Sequence, residues 1–385
     1  MSGGRFFVTP FQLVDDVLDL IKKVSVRTVP LTPLEEKMFY TADDNRFIYS
    51  GRIDDEKKDA PVFAYPATNV RVRFKGTKVS AKMICTETDW RCFFGYFIDG
   101  QHGHQEFFYD GNEHEYLLGE NLCDCWHELM IFKRQDQCHY MTFLGIDAED
   151  IERPAENPEK KIEIIGDSIS CGEVSEAVGF EGQLDPDCKG EFSNAYYSYG
   201  WILARKLNAE IHITSESGIA LISNTGYFNQ TAEDGSNAQG MEDCFDYIEF
   251  NRYLHNGEKK PWDFSRWTPD IVILALGQND ANPGDIMEND FYGEKANEWR
   301  RRYRAFIEKL MGLYPKAEII CTTAIMIHSL MWDAAIDKVV KEIASDRVHH
   351  FLYSRTASAT PGHVRISEAT EMADELKAFI DRMQK

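Results

Sequence analysis

Ile162-Glu163-Ile164-Ile165-Gly166-Asp167-Ser168-Ile169-Ser170-Cys171-Gly172 decides the fold. A largely β-branched apolar run breaks off into a tight turn that carries a hydroxyl. An open parallel sheet presents a serine at its carboxyl edge in this way. Beyond it, strand signals at 162–165, 210–213, 271–276, 318–322 and 350–353 alternate with helical patterns at 194–207, 298–313, 332–344 and 367–383. That alternation predicts an α/β domain whose parallel sheet is covered by helices on both faces. Trp299, Tyr303, Phe306, Ile307 and Leu310 share one helix face and are read as core.

Upstream the period changes. Val70-Arg71-Val72-Arg73-Phe74, Val79-Ser80-Ala81-Lys82-Met83, Phe93 to Ile98 and Trp126 to Lys133 alternate apolar and polar residues, with turns every eight to twelve positions. Period two with frequent turns predicts an antiparallel β-sandwich over 47–150. The polar stretch 150–160, with Pro154 and Pro158, marks the boundary to the α/β domain at 151–385. Residues 1–46 read as a helical arm: Thr9 and Pro10 open a helix over 10–24, and Thr32-Pro33-Leu34-Glu35 has the form of a capping box.

Gly-Asp-Ser alone is ordinary helix-capping chemistry. Its weight comes from three later residues in fixed order: Gly218 in Thr214-Ser215-Glu216-Ser217-Gly218, Asn279 in Gly277-Gln278-Asn279-Asp280, and His363 in Pro361-Gly362-His363, each after a strand-like run. Ser168, Gly218, Asn279 and His363 in this sequence resemble the SGNH (GDSL-type) hydrolase superfamily. The resemblance implies a flavodoxin-like three-layer α/β sandwich. A serine hydroxyl must give its proton to a base before it can attack an ester, and neutral imidazole is matched to that task, so His363 is the candidate base. Negative charge then develops on the carbonyl oxygen. The backbone N–H groups of Ser168 and Gly218 and the Asn279 amide are the candidate oxyanion donors, with Asp167 and Asp280 as supporting neighbours.

A sandwich opening near Tyr49-Ser50-Gly51-Arg52, then Gly-Asp-Ser-Ile-Ser-Cys-Gly, then Trp262-Asp263-Phe264-Ser265-Arg266-Trp267-Thr268-Pro269-Asp270 leading into the Gly-Gln-Asn-Asp strand, is similar to carbohydrate esterase family two over residues 47–385. That resemblance implies a jelly-roll domain ahead of the hydrolase domain. It also implies removal of O-acetyl groups from plant-polysaccharide-derived oligosaccharides. Many SGNH enzymes place an aspartate three residues before the histidine, where this chain has Thr360, so a Ser168–His363 dyad is expected, with Thr360 or a nearby carbonyl orienting the ring. Aromatic faces commonly bind sugars, and Trp332 is the candidate platform in the hydrolase half. The alternative function is a carbohydrate-binding protein whose hydrolase half is weakened by the missing aspartate. A lipase or thioesterase is disfavoured by the lack of a long apolar lid.

Composition narrows the partners. At −22 net charge, with 42 basic against 64 acidic residues, the 385-residue chain lacks the basic face that nucleic acid or anionic membrane requires. The partner expected is an acetylated oligosaccharide, with no cofactor. Nine scattered cysteines suit reduced thiols, and the N-terminus lacks a signal-peptide core, so the expected location is the cytoplasm. Cys123, Cys125 and His127 alternate on one strand face, with Cys138 or His139 as neighbours. This zinc-like set is better explained as small buried thiols, and no metal is expected.

Overall fold

A computed structural model of the protein describes residues 38–88, 90–187, 189–227, 239–249, 259–355 and 361–384. The helices expected in 1–37 lie outside the described residues. Met38–Thr41 is a strand paired antiparallel with Met141–Ala148, so the sandwich begins before residue 47 and takes in the end of the expected arm.

Two six-stranded antiparallel sheets form the sandwich. One runs Ile53–Asp54, Val62–Phe63, Met141–Ala148, Val79–Cys85, Glu113–Gly119, with Met38–Thr41 also on Met141–Ala148. The other runs Asp150–Glu152, Asn69–Lys75, Trp126–Lys133, Phe93–Ile98, Gln101–Glu106, with Ile48–Ser50 also on Asn69–Lys75. The period-two pattern places Val70, Val72 and Phe74 in the core while Arg71 and Arg73 face outward.

The second half is a five-stranded parallel sheet in the order Ala209–Ser215, Lys160–Gly166, Ile271–Ala275, Glu318–Thr322, Val348–His350. Numbered along the chain this is 2-1-3-4-5, the flavodoxin-like order, which puts a ligand crevice at the carboxyl ends beside the first strand. Helices Tyr199–Leu207 and Ile366–Met383 pack on one face, around Trp201, Leu203, Met372 and Leu376. Helices Glu294–Leu313 and Leu330–Ile343 cover the other, around Trp299, Tyr303, Ile336 and Val339. The helix expected over 194–207 starts twice. Asn194 caps a short turn at Ala195–Tyr197, and Ser198 then caps Tyr199–Leu207, because each offers a side-chain oxygen to a backbone N–H two or three residues on. The last strand lies earlier than expected, and Phe351 and Tyr353 are buried beyond its end.

Met38 to Lys385 form one compact unit. The two halves meet through Arg52 of the sandwich and Glu163 of the first parallel strand, an ion pair of 2.7 Å that is almost wholly buried. Thr214 Oγ1 donates to the same carboxylate at 2.8 Å. Glu163 interrupts the buried apolar run of its strand, and a charge so placed is tolerable only with its partner in hand.

Candidate active site

Each letter of Gly-Asp-Ser has a mechanical reason. Gly166 closes its strand where a Cβ would come within 2.1 Å of Ser170 Oγ. Asp167 caps the one-turn helix Ser168–Cys171, its Oδ1 accepting from Ile169 N at 3.1 Å, and Gly172 ends that helix with a φ of 73°. Ser168 therefore sits at the first helical position, just past the strand tip. Its side chain faces a cavity of about 700 Å³ that Asp167, Gly218, Asn279 and His363 also line.

Gly218 and Asn279 follow the two strands that flank the first, which is why positions so far apart in the chain meet. Gly218 has a φ of 70°, a conformation that favours glycine. The loop around it is held from two sides. Asp136 Oδ2 of the sandwich accepts from Ser217 N at 2.9 Å, and the Asp280 carboxylate accepts from Leu221 N at 2.9 Å and Ile222 N at 3.2 Å. Asn279 Nδ2 donates to Asp167 Oδ2 at 3.3 Å. An amide nitrogen has two hydrogens, so this bond fixes the side chain and leaves one donor for a substrate oxygen. Burial pushes the Asp167 and Asp280 carboxyls up to about 6 each. Asp280 supports the site by tying the Asn279 turn to the Gly218 loop.

His363 reaches the cavity from the far edge of the sheet, because the helix it precedes packs beside Tyr199–Leu207 over the first strand. Its orienter is Asp185, from the long loop that follows the Ser168 turn. Asp185 Oδ2 lies 2.7 Å from His363 Nδ1 and 3.2 Å from the His363 backbone N. Arg365, wholly buried, donates from Nη1 to Asp185 Oδ1 at 2.9 Å and to His363 O at 2.7 Å. Gly362, with a φ of 130°, lets this carboxylate close in, since a Cβ there would be 2.7 Å from Asp185 Oδ2. The Nδ1 bond assigns the proton to that nitrogen and leaves Nε2 free to accept one.

The expected dyad is thus corrected: a carboxylate from a distant loop completes it, and Thr360, the suggested orienter, lies outside the described residues. Nothing local marks Asp185. It stands in Gly182-Gln183-Leu184-Asp185-Pro186-Asp187, a polar stretch without periodicity, as one of 64 acidic residues.

Burial works against protonating His363, but the Asp185 bond and the negative charges of Glu173, Asp185 and Asp167 outweigh it and raise its pKa above the ordinary imidazole value. Burial likewise opposes ionisation of Asp185, yet His363 and Arg365 together bring its carboxyl down to about 2. Ser168 and His363 face the same cavity with no hydrogen bond between them among the described residues, a geometry that such sites tighten when substrate is seated. Glu173 also lines the cavity, and Ser217 Oγ donates to its Oε2 at 3.3 Å.

Trp332 is not a platform. It is fully buried, donates from Nε1 to Asp285 Oδ1 at 3.0 Å, and stands edge-on to Trp299 at 5.1 Å. Trp262, Trp267 and Trp299 are buried too. Among the described residues the exposed aromatics on the cavity wall are Tyr227, at 56% exposure, and Trp90, which comes from the sandwich, at 50%. The position of Trp90 is not legible in the sequence of the hydrolase half, because only packing brings sandwich loops to the sheet edge. Gln135, Asp136 and Cys138 reach the wall in the same way.

The Cys123 and Cys125 thiols are exposed, which corrects the expectation that they are small buried thiols, and the His127 ring is bonded to Asp99 Oδ2 at 2.6 Å and Cys123 O at 2.8 Å.

Trp332→Ala is expected to destabilise the fold by about 3–5 kcal/mol, the usual cost of deleting a buried tryptophan. A lowered denaturation midpoint checks it, and an unchanged midpoint with a raised KM would reverse the assignment.

Residues 162–379 match the family model described as GDSL-like Lipase/Acylhydrolase, and residues 49–158 match Carbohydrate esterase 2 N-terminal. Cellulase/esterase CelE of Acetivibrio thermocellus is 28% identical over 310 residues, covering 79% of this chain and 34% of that protein. An acetylxylan esterase / glucomannan deacetylase of Cellvibrio japonicus is 27% identical over 224 residues, covering 57% of this chain and 56% of the relative. The chain therefore spans between a third and about half of the length of these curated relatives. A solved family two carbohydrate esterase from Clostridium thermocellum, in complex with cellohexaose, superposes with a TM-score of 0.73 at 25% identity, over 88% of this chain and 99% of that one. With its α/β half matched to one model and its sandwich, over 49–158, similar to the N-terminal part of carbohydrate esterase family 2, the chain belongs to the GDSL-like lipase/acylhydrolase family.

Proposed function

We propose that this protein is a serine esterase that removes O-acetyl groups from acetylated oligosaccharides derived from plant polysaccharides. The observation that carries the reading is the convergence of Ser168, His363 with its Asp185 partner, Gly218 and Asn279 on one cavity. In this scheme His363 Nε2 takes the Ser168 proton as Oγ attacks the acetyl carbonyl. The oxyanion receives hydrogen bonds from the Ser168 and Gly218 N–H groups and Asn279 Nδ2. Collapse expels the sugar oxygen, which leaves as a hydroxyl by taking from His363 the proton that came from Ser168. Water, activated by the same imidazole, then hydrolyses the acetyl-serine.

The sugar class rests on the relatives, two of which are named for xylan or glucomannan deacetylation and cellulase/esterase activity. The half-exposed Trp90 indole supports it, being suited to the apolar face of a sugar ring. Trp90→Ala is expected to raise KM on acetylated oligosaccharides about fivefold, the equivalent of about 1 kcal/mol for a lost aromatic contact. It should leave hydrolysis of a small acetyl ester nearly unchanged. Equal effects on both substrates would remove Trp90 from sugar binding.

Acetate release from acetylated mannan, xylan and cello-oligosaccharides, with Ser168→Ala alongside, tests the activity. Release that survives the substitution, or none from any of the three, overturns it. The cysteine usage supports a cytoplasmic location, where the substrates would be short imported oligosaccharides, and cell fractionation checks this.

The binding-protein alternative loses its premise, since it required a histidine without a carboxylate.

A further inference from the structure

Cys85, Cys92 and His139 are wholly buried, and their ligand atoms all lie within 4.8 Å of one another. Cys138 Sγ is 3.3 Å from His139 Nδ1, while His139 Nε2 is buried with no hydrogen-bond partner among the described residues. We propose that Cys85, Cys92, His139 and the adjoining Cys138 form a structural zinc site that ties the two sheets of the sandwich together beside the catalytic cavity.

The ligand set is that of closed zinc centres, three thiolates and one imidazole. Zinc–sulfur bonds of about 2.3 Å in a tetrahedron place sulfurs about 3.8 Å apart, so Cys85, Cys92 and His139, whose ligand atoms lie within 4.8 Å of one another, need draw in only slightly, while the Cys138 side chain turns toward them as the fourth ligand. A buried imidazole nitrogen without a partner is costly, of the order of 1–3 kcal/mol, and a metal bond would satisfy it.

Charge supports the same reading. Lys133 is buried next to the cluster, its ammonium donating to Gln135 O at 2.8 Å and to Asp136 O, within electrostatic reach of all three thiols. A divalent ion, three thiolates and one ammonium sum to neutrality, which removes the objection to a lysine in an apolar interior.

The sequence hides the site because its spacing is not that of a zinc knuckle. Cys85 ends the strand Val79–Cys85 and pairs across to Met141, two residues past His139. Cys92 precedes Phe93–Ile98 of the other sheet. Cys138 lines the catalytic cavity, which gives the ion a way in. Once bound, the metal would hold the chain on either side of the cavity wall: Cys92 is two residues from Trp90, and Cys138 is two from Asp136, whose carboxylate holds the Gly218 loop through Ser217.

The test uses the full chain, purified reduced after growth with zinc, with metal measured by mass spectrometry. About one zinc per chain is expected for the wild type. The Cys85→Ser, Cys92→Ser double variant should fall to background, while Cys321→Ser, in the parallel sheet, should retain the metal. To guard against a double variant that fails to fold, cobalt(II) is also added to wild type stripped of metal by a chelator. A stoichiometric thiolate-to-cobalt charge-transfer band that His139→Ala shifts or weakens supports the site, as does a Tm lowered by the chelator and restored by zinc. Wild type with neither zinc nor a cobalt–thiolate spectrum overturns the proposal, as does a disulfide within the cluster or cobalt bands indifferent to His139.

Discussion

Ser168→Ala is expected to lower kcat for acetate release by about a million-fold while leaving KM within a few-fold. Losses of that size arise when the serine of a serine hydrolase is removed, because attack then falls to water without an acyl-enzyme. The cavity and its oxyanion donors survive the change, since Ser168 Oγ takes part in no hydrogen bond among the described residues and the Ser168–Cys171 turn is capped by Asp167. Substrate should still bind, and a residual rate above the uncatalysed one should persist from those donors. Stopped-flow or end-point acetate assays on matched preparations check it. Retention of more than about a hundredth of the wild-type kcat would mean that another group carries the attack.

Asp185→Asn should cost about ten-thousand-fold in kcat, the scale seen when the carboxylate of such a triad is made neutral and the imidazole loses its fixed tautomer. Its signature is in the pH profile. His363 acts only when neutral, so activity is lost as pH falls through its pKa. With the carboxylates of Glu173, Asp185 and Asp167 raising that pKa, the acid limb of wild-type kcat/KM should lie above the reference of about 6.5. Asp185→Asn removes one of those charges and the Nδ1 acceptor, so the limb should move to lower pH even as the maximum falls. A dyad that did not use Asp185 would show neither change. Arg365 also loses a charged partner at Asp185 Oδ1, so Tm is measured in parallel. A loss of rate that simply tracks loss of folded protein, with the limb unmoved, would make Asp185 a structural residue.

The alternation of strand and helix beyond residue 160 was legible because each element carries its own period: Ile162 to Ile165 cannot be an amphipathic helix, and Trp299 to Leu310 cannot be a strand. The sites of Ser168, Gly218 and Asn279 were legible for a related reason. Each comes directly after a strand, and three neighbouring parallel strands bring their carboxyl ends to one rim. Trp332 was misplaced because position after a strand does not say which way an indole points. Its ring turns into the layer beneath the sheet and meets Trp299, where burial gains more than exposure to a cleft.

By itself, then, the amino-acid order determined the two-part architecture, the parallel sheet and the candidates for nucleophile and base, all of which rest on interactions within a few residues or between adjacent strands. The tertiary structure alone decided the rest. Asp185 meets His363 across 178 residues of chain, Trp90 and Asp136 arrive from the sandwich, and Cys85, Cys92 and His139 gather where its two sheets meet. These depend on how loops without periodicity pack against a finished scaffold, where residue type limits what a side chain does and only its surroundings select the partner.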